Sequence, residues 1–115
     1  MSAFFVNDFR LTYTLSVDSL RIMGKQNIEL SREVVIVNEL GLHARSAAKI
    51  AKLAQNAKST IWLIKNNEKV DASSIIDILT LACEKGSKIL LTVDSKSDIH
   101  ILYNITALVE KGFEE

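Results

Sequence analysis

The sequence predicts an α+β fold, an open-faced sandwich with three helices on one face of a four-stranded antiparallel sheet. Three observations point there. Apolar residues alternate between short β-branched runs and helical spacing in the order βαββαβα. A pair of asparagines, Asn66-Asn67, separates two of the strand-like runs at hairpin distance. Layer rules place the helices of such an order on one side of an antiparallel sheet, and 115 residues with 48% apolar content suit one modest core.

Taken in order, Arg32 to Asn38 (REVVIVN) is a β-branched run, and Glu39-Leu40-Gly41-Leu42 turns the chain into an alanine-rich stretch. From Ala44 to Ala57 the apolar positions Ala47, Ile50, Ala51, Ala54 and Ala57 follow helical spacing, with Arg45, Lys49, Lys52 and Asn56 mostly on the other side. Ser59 to Lys65 and Glu68 to Ala72 are the two hairpin strands, since asparagine tolerates the positive φ that a two-residue turn demands. Ser73 to Cys83 opens with hydroxyl caps, has Asp77 near its start and stops before Glu84-Lys85-Gly86, as a short helix would. Lys88 to Val93 is the last strand. DSKSD then caps a helix from about Asp98 to Lys111, ended by Gly112, with Ile101, Leu102, Ile105, Leu108 and Val109 on its buried stripe.

Residues 31–115 thus form one domain, and residues 1–30 do not continue the pattern. Three readings of that extension stand: an element packed on the domain, a mobile arm, or a stretch upstream of a natural start at Met23. Its first residues lack the basic start, continuous apolar middle and small-residue cleavage site of a secretory signal, so a cytoplasmic location is expected. Charged or amide residues interrupt every candidate membrane span, so no insertion is expected. The 14 basic and 14 acidic residues cancel, which removes the broad positive field that nucleic acid requires. Cys83 has no partner for a disulfide or a CxxC motif and reads as a buried apolar side chain. No metal or other cofactor is expected. Trp62 and Tyr103 read as packing residues, and His100 as solvated.

The informative string is Gly41-Leu42-His43-Ala44-Arg45, where a strand hands over to a helix. A helix start presents unpaired backbone N–H groups and the positive end of the peptide dipole, and so accepts anions. Imidazole is the side chain poised between neutral and charged forms near pH 7, and its neutral form is a nucleophile. Arg45 would add a permanently charged fork for phosphate oxygens, and Gly41 allows a tight turn.

GLHAR followed by small residues, on a βαββαβα pattern of this length, resembles the active-site motif of the HPr family of phosphocarriers. The resemblance covers about residues 31–115. It extends to Ser74 followed by Ile75 and Ile76, at the place of the family's regulatory serine. The ending ALVEKGFEE is similar to that of the nitrogen-branch members, NPr.

The resemblance implies a stoichiometric carrier rather than a turnover enzyme. Phosphorylated enzyme I would place a phosphoryl group on Nδ1 of His43, Arg45 would hold it, and a protein of the enzyme IIA class would receive it. Ala44, Ala48, Lys49 and Lys52 of the first helix, with Ile75, Ile76 and Leu79 of the second, would form the docking patch, and a monomer would suit successive partners. The short helix also has more apolar side chains than one buried face needs. The alternative is a regulatory binding module, in which phosphorylation of Ser74 by a serine kinase, or the phosphorylation state of His43, governs association with a sensor, kinase or transcription factor; an ordinary N-cap is the plain reading of Ser74 and of Ser73. A bare α+β interaction domain is the third reading.

One departure concerns Ser46, which stands where the family usually has proline. Serine restores a backbone donor at the third helical position, and that N–H is placed either to bond Nδ1 of His43 or to contact the phosphoryl group. Unchanged phosphorylation rate and phosphohistidine lifetime in Ser46→Pro would exclude both.

Overall fold

The structure is a computed structural model and describes residues 30–115. The expectations for residues 1–29, including Met23, lie outside the described residues. The elements run β1 (Ser31–Val35), α1 (Ala44–Ala54), β2 (Ile61–Lys65), β3 (Glu68–Asp71), α2 (Ile75–Thr80), β4 (Lys88–Val93) and α3 (Ile99–Glu110), the βαββαβα order. Short 3-10 turns precede and follow α3.

The four strands pair antiparallel in the order β1-β4-β2-β3. Alternation decides which face is covered. Val34, Ile89, Leu91, Val93, Ile61 and Leu63 are buried, and the register sets Val34 opposite Ile89 and Leu63 opposite Leu91. The helices lie over that side, where Ala47, Ile50, Ile78, Leu102, Ile105, Val109 and Phe113 complete the core. Val35 points to the open side and is 40% exposed. Asn66 and Asn67 both have positive φ, so the β2–β3 hairpin turns as expected.

The differences from expectation have local causes. β1 ends at Val35, although Ile36 still donates to Ser87 O at 2.9 Å and accepts from Gly86 N–H at 2.7 Å. α1 stops with Gln55 as its C-cap, which leaves half-buried Ala57 beyond the helix. α2 is only six residues long. Ser74 caps it, and Ala82 adopts a positive φ of 51° that no helix continues through. Leu108 is partly buried rather than inside the stripe.

Tyr103 is not a core residue: it is 46% exposed, with the Arg32 guanidinium 5.5 Å from its ring centroid. Trp62 alternates outward on β2 and is only partly covered. Lys69 lies over its ring at 4.6 Å, and its indole N–H donates to Asp94 at 3.1 Å. Cys83 is buried, and burial pushes its thiol pKa up. His100 is exposed.

A buried carboxylate joins the helices to the sheet. Asp98 is 1% exposed and accepts the backbone N–H groups of Lys58 and Ser59, each at 2.9 Å. Those bonds hold its pKa below the usual carboxylate value. They fasten the chain leaving α1 to the start of α3.

Candidate functional site

The loop from β1 into α1 is fixed by its own backbone and by the segment before β4. Leu42 N–H donates to Cys83 O at 2.8 Å, and Gly41 N–H to Asn38 O at 3.1 Å. Gly41 has φ +66°, and a Cβ there would lie 2.4 Å from Cys83 O. Glycine is therefore required twice, by conformation and by space.

His43 is the N-cap of α1, with extended backbone, and its carbonyl accepts the Ala47 N–H at 2.8 Å. Its imidazole faces the helix start. The Arg45 N–H donates to Nδ1 at 3.3 Å, and Ser46 and His43 form a capping box. In the reciprocal half the His43 N–H donates to Ser46 Oγ at 2.9 Å. Ser46 is fully buried, and Gly41 O and His43 O each lie 3.1 Å from its hydroxyl as acceptors. The first turn of α1 holds no acidic residue, so nothing on the helix neutralises its positive end.

Sequence reasoning missed the other side of the ring. His43 Nε2 lies 2.7 Å from Glu115 Oε2. Glu115 Oε1 accepts from Asn38 Nδ2 at 3.0 Å, and the same amide donates to Gly41 O at 2.9 Å. The hydrogen bond from Asn38 and then that from His43 hold the Glu115 carboxyl below its ordinary pKa, with Arg45 adding a smaller pull. The last turn is seated by Phe113, which is fully buried at φ 60° and whose carbonyl accepts from Lys49 Nζ at 2.8 Å. The polar character of Asn38 in an otherwise β-branched run was the available signal. Its partner lies 77 residues away.

The remaining predicted residues divide. Arg45 and Ala44 are exposed beside His43, Lys52 is exposed further along α1, and Ala48 is half-buried. Lys49 is also half-buried, and its Nζ donates to Phe113 O. On α2, which packs against α1, Ile76 is 74% exposed and Ile75 and Leu79 are 38% exposed each. Ser74 Oγ accepts the Asp77 N–H at 3.2 Å as the N-cap. Ser73 does not share that cap: its hydroxyl donates to Asp71 at 2.7 Å. Among the described residues no group of three or more His, Cys, Asp or Glu side chains could hold a metal ion.

This arrangement presents an imidazole at an anion-accepting helix start, beside an arginine and an exposed apolar helix. Known proteins with similar sequences and folds agree with it. Residues 30–111 match the family model described as the PTS HPr component phosphorylation site. Over 86 residues the chain is 37% identical to the phosphocarrier protein HPr of Cupriavidus necator, covering 75% of this chain and 97% of that one. Over 87 residues it is 37% identical to the phosphocarrier protein NPr of Shewanella violacea, covering 76% and 96%. The crystal structure of HPr-C-His from Thermoanaerobacter tengcongensis superposes with a TM-score of 0.70 at 33% identity, over 74% of this chain and 96% of that one. Sequence, topology and the histidine at the start of α1 therefore converge, and the chain belongs to the HPr/NPr family of phosphocarriers of the phosphotransferase system.

Proposed function

We propose that this protein is a stoichiometric cytoplasmic phosphoryl carrier in which His43 accepts a phosphoryl group from phosphorylated enzyme I and delivers it to a protein of the enzyme IIA class. The observation that carries this reading is the orientation of His43. Nδ1 faces the amides of a helix start without acidic residues, while Nε2 is occupied by Glu115. That orientation supports Nδ1 as the nitrogen that attacks phosphorus, since a phosphate bonded there would meet N–H donors and the positive end of α1. Arg45 supplies permanent charge from the exposed side. The exposed Ile75, Ile76 and Leu79 offer an apolar surface to partners that must bind and leave, and a monomer keeps that surface open.

The test is incubation with enzyme I, phosphoenolpyruvate and Mg²⁺, followed by intact-mass and acid-lability analysis. One acid-labile phosphate on the wild type and none on His43→Ala is the expected result. An equal phosphate on both proteins would rule out His43 as acceptor.

A second reading, regulation through Ser74, is favoured by one observation. The Ser74 hydroxyl caps α2 immediately beside Ile75 and Ile76. A phosphate there would place a charge that must be desolvated at the edge of the apolar surface, weakening docking without touching His43. A kinase that modifies wild type but not Ser74→Ala, together with slowed phosphoryl transfer, is what this reading requires.

A further inference from the structure

The carrier reading leaves the Asn38–Glu115 pair without a task. Glu115 is not a loosely placed surface acid. Its side chain is 17% exposed, and both of its oxygens are engaged, one by Asn38 and one by His43. Asn38 is itself 7% exposed, and its Nδ2 spans Glu115 and Gly41. The turn before Glu115 is anchored by buried Phe113 and by Lys49. A carboxylate held this way can only accept a hydrogen bond, so the ring atom facing it, Nε2, must be the one that carries hydrogen. The opposite nitrogen, Nδ1, already accepts from the Arg45 N–H and must hold the lone pair.

We propose that Glu115 is a positioning residue for phosphoryl transfer, whose carboxylate, seated by Asn38, keeps the His43 ring proton on Nε2 throughout the cycle. The inference rests on the carrier reading. In the first step the Nδ1 lone pair forms the N–P bond, and the bond between phosphorus and the donor breaks with its electron pair going to the donor. The ring becomes a phosphoimidazolium cation whose Nε2–H points at a carboxylate. In the second step the acceptor nucleophile bonds phosphorus, and the N–P electron pair returns to Nδ1. The same proton stays on Nε2 before, during and after, so neither step waits for proton transfer, and the ring leaves phosphorus as neutral imidazole.

The low pKa of the Glu115 carboxyl is consistent with this role, since it keeps the acceptor ionised at neutral pH. Besides His43, the charged group that acts on the Glu115 carboxylate is Arg45 of α1, while Lys49 of the same helix is bound to Phe113 O in the turn before it. Both are cations, so Glu115 is the group that can stabilise positive charge on the ring.

The test compares wild type, Glu115→Gln and Glu115→Asp, all full-length, with folding checked by amide NMR spectra. Nitrogen-15 NMR of the unphosphorylated ring should show Nε2 protonated and Nδ1 bare in the wild type, with a slowly exchanging Nε2–H. In Glu115→Gln that proton should exchange faster, with a share of the other tautomer present. Phosphoramidate, which needs no protein partner, would then phosphorylate each protein. The pH profile of phosphohistidine hydrolysis should move toward acid by about one unit in Glu115→Gln, a tenfold change in the fraction of protonated ring, with Glu115→Asp closer to wild type. Unchanged nitrogen signals together with an unchanged hydrolysis profile would overturn the proposal. If enzyme I fails to phosphorylate the wild type while the nitrogen signals behave as expected, the carrier reading is what has failed, and the role in transfer falls with it.

Discussion

The two helices nearest the candidate site begin in opposite ways. α1 starts from a buried frame: Ser46 is fully covered, Gly41 lies against the Cys83 carbonyl, and the cap is the His43 imidazole. α2 starts at the surface, capped by an ordinary serine, with Asp77 in its first turn and three exposed apolar side chains. The charge pattern follows. An acid in the first turn offsets the helix dipole at α2, whereas the first turn of α1 holds none and its nearby carboxylate, Glu115, lies on the far side of the His43 ring at Nε2. On the proposed reading one helix start serves chemistry and the other contact, and the two should respond differently to substitution.

The largest effect is expected at Gly41. Gly41→Ala forces a side chain into φ +66° and into the Cys83 carbonyl, at a cost of about 2–4 kcal/mol. Thermal unfolding would read this as a drop of about 4–8 °C per kcal/mol. A Tm within a degree of wild type would show that the α1 frame is not rigid.

Ser46→Ala comes next. It removes the acceptor of the His43 N–H and a donor to buried carbonyls, which should lower stability by about 1–2 kcal/mol. Denaturant unfolding checks the stability, and the rate of phosphorylation should fall with it because the cap that orients the imidazole is loosened. The smallest stability effect is expected on α2. Ile76→Lys, at a 74% exposed position, should change unfolding free energy by no more than about 0.5 kcal/mol. It should nevertheless slow phosphoryl exchange with partner proteins. A large loss of stability there would make α2 a structural helix and erase the contrast with α1.

What could be read from the sequence follows the same division. The strands, the Asn66-Asn67 hairpin and the buried stripe of α1 depend on local periodicity and turn chemistry, and these were legible. So was the place of His43 and Arg45 at the start of a helix, because a short motif encodes that turn. The length of α2 was not, since its end depends on Ala82 taking a positive φ that no propensity signals. Nor was Tyr103, an aromatic at a helical position that faces outward beside Arg32. Asn38 and Glu115 were out of reach for a different reason. Their bond joins residues 77 positions apart, and only the closed fold makes them neighbours.

That closure has a consequence for how the protein comes to be active. The surroundings of His43 are drawn from Asn38, Cys83, Phe113 and Glu115 as well as its own helix. Helices can form early and locally, but contacts between distant parts of the chain come only after long loops have closed. The complete site therefore cannot precede that closure. A nascent or partly unfolded chain already contains the GLHAR motif yet lacks the frame that aims it, so phosphorylation of His43 would double as a report that folding is complete.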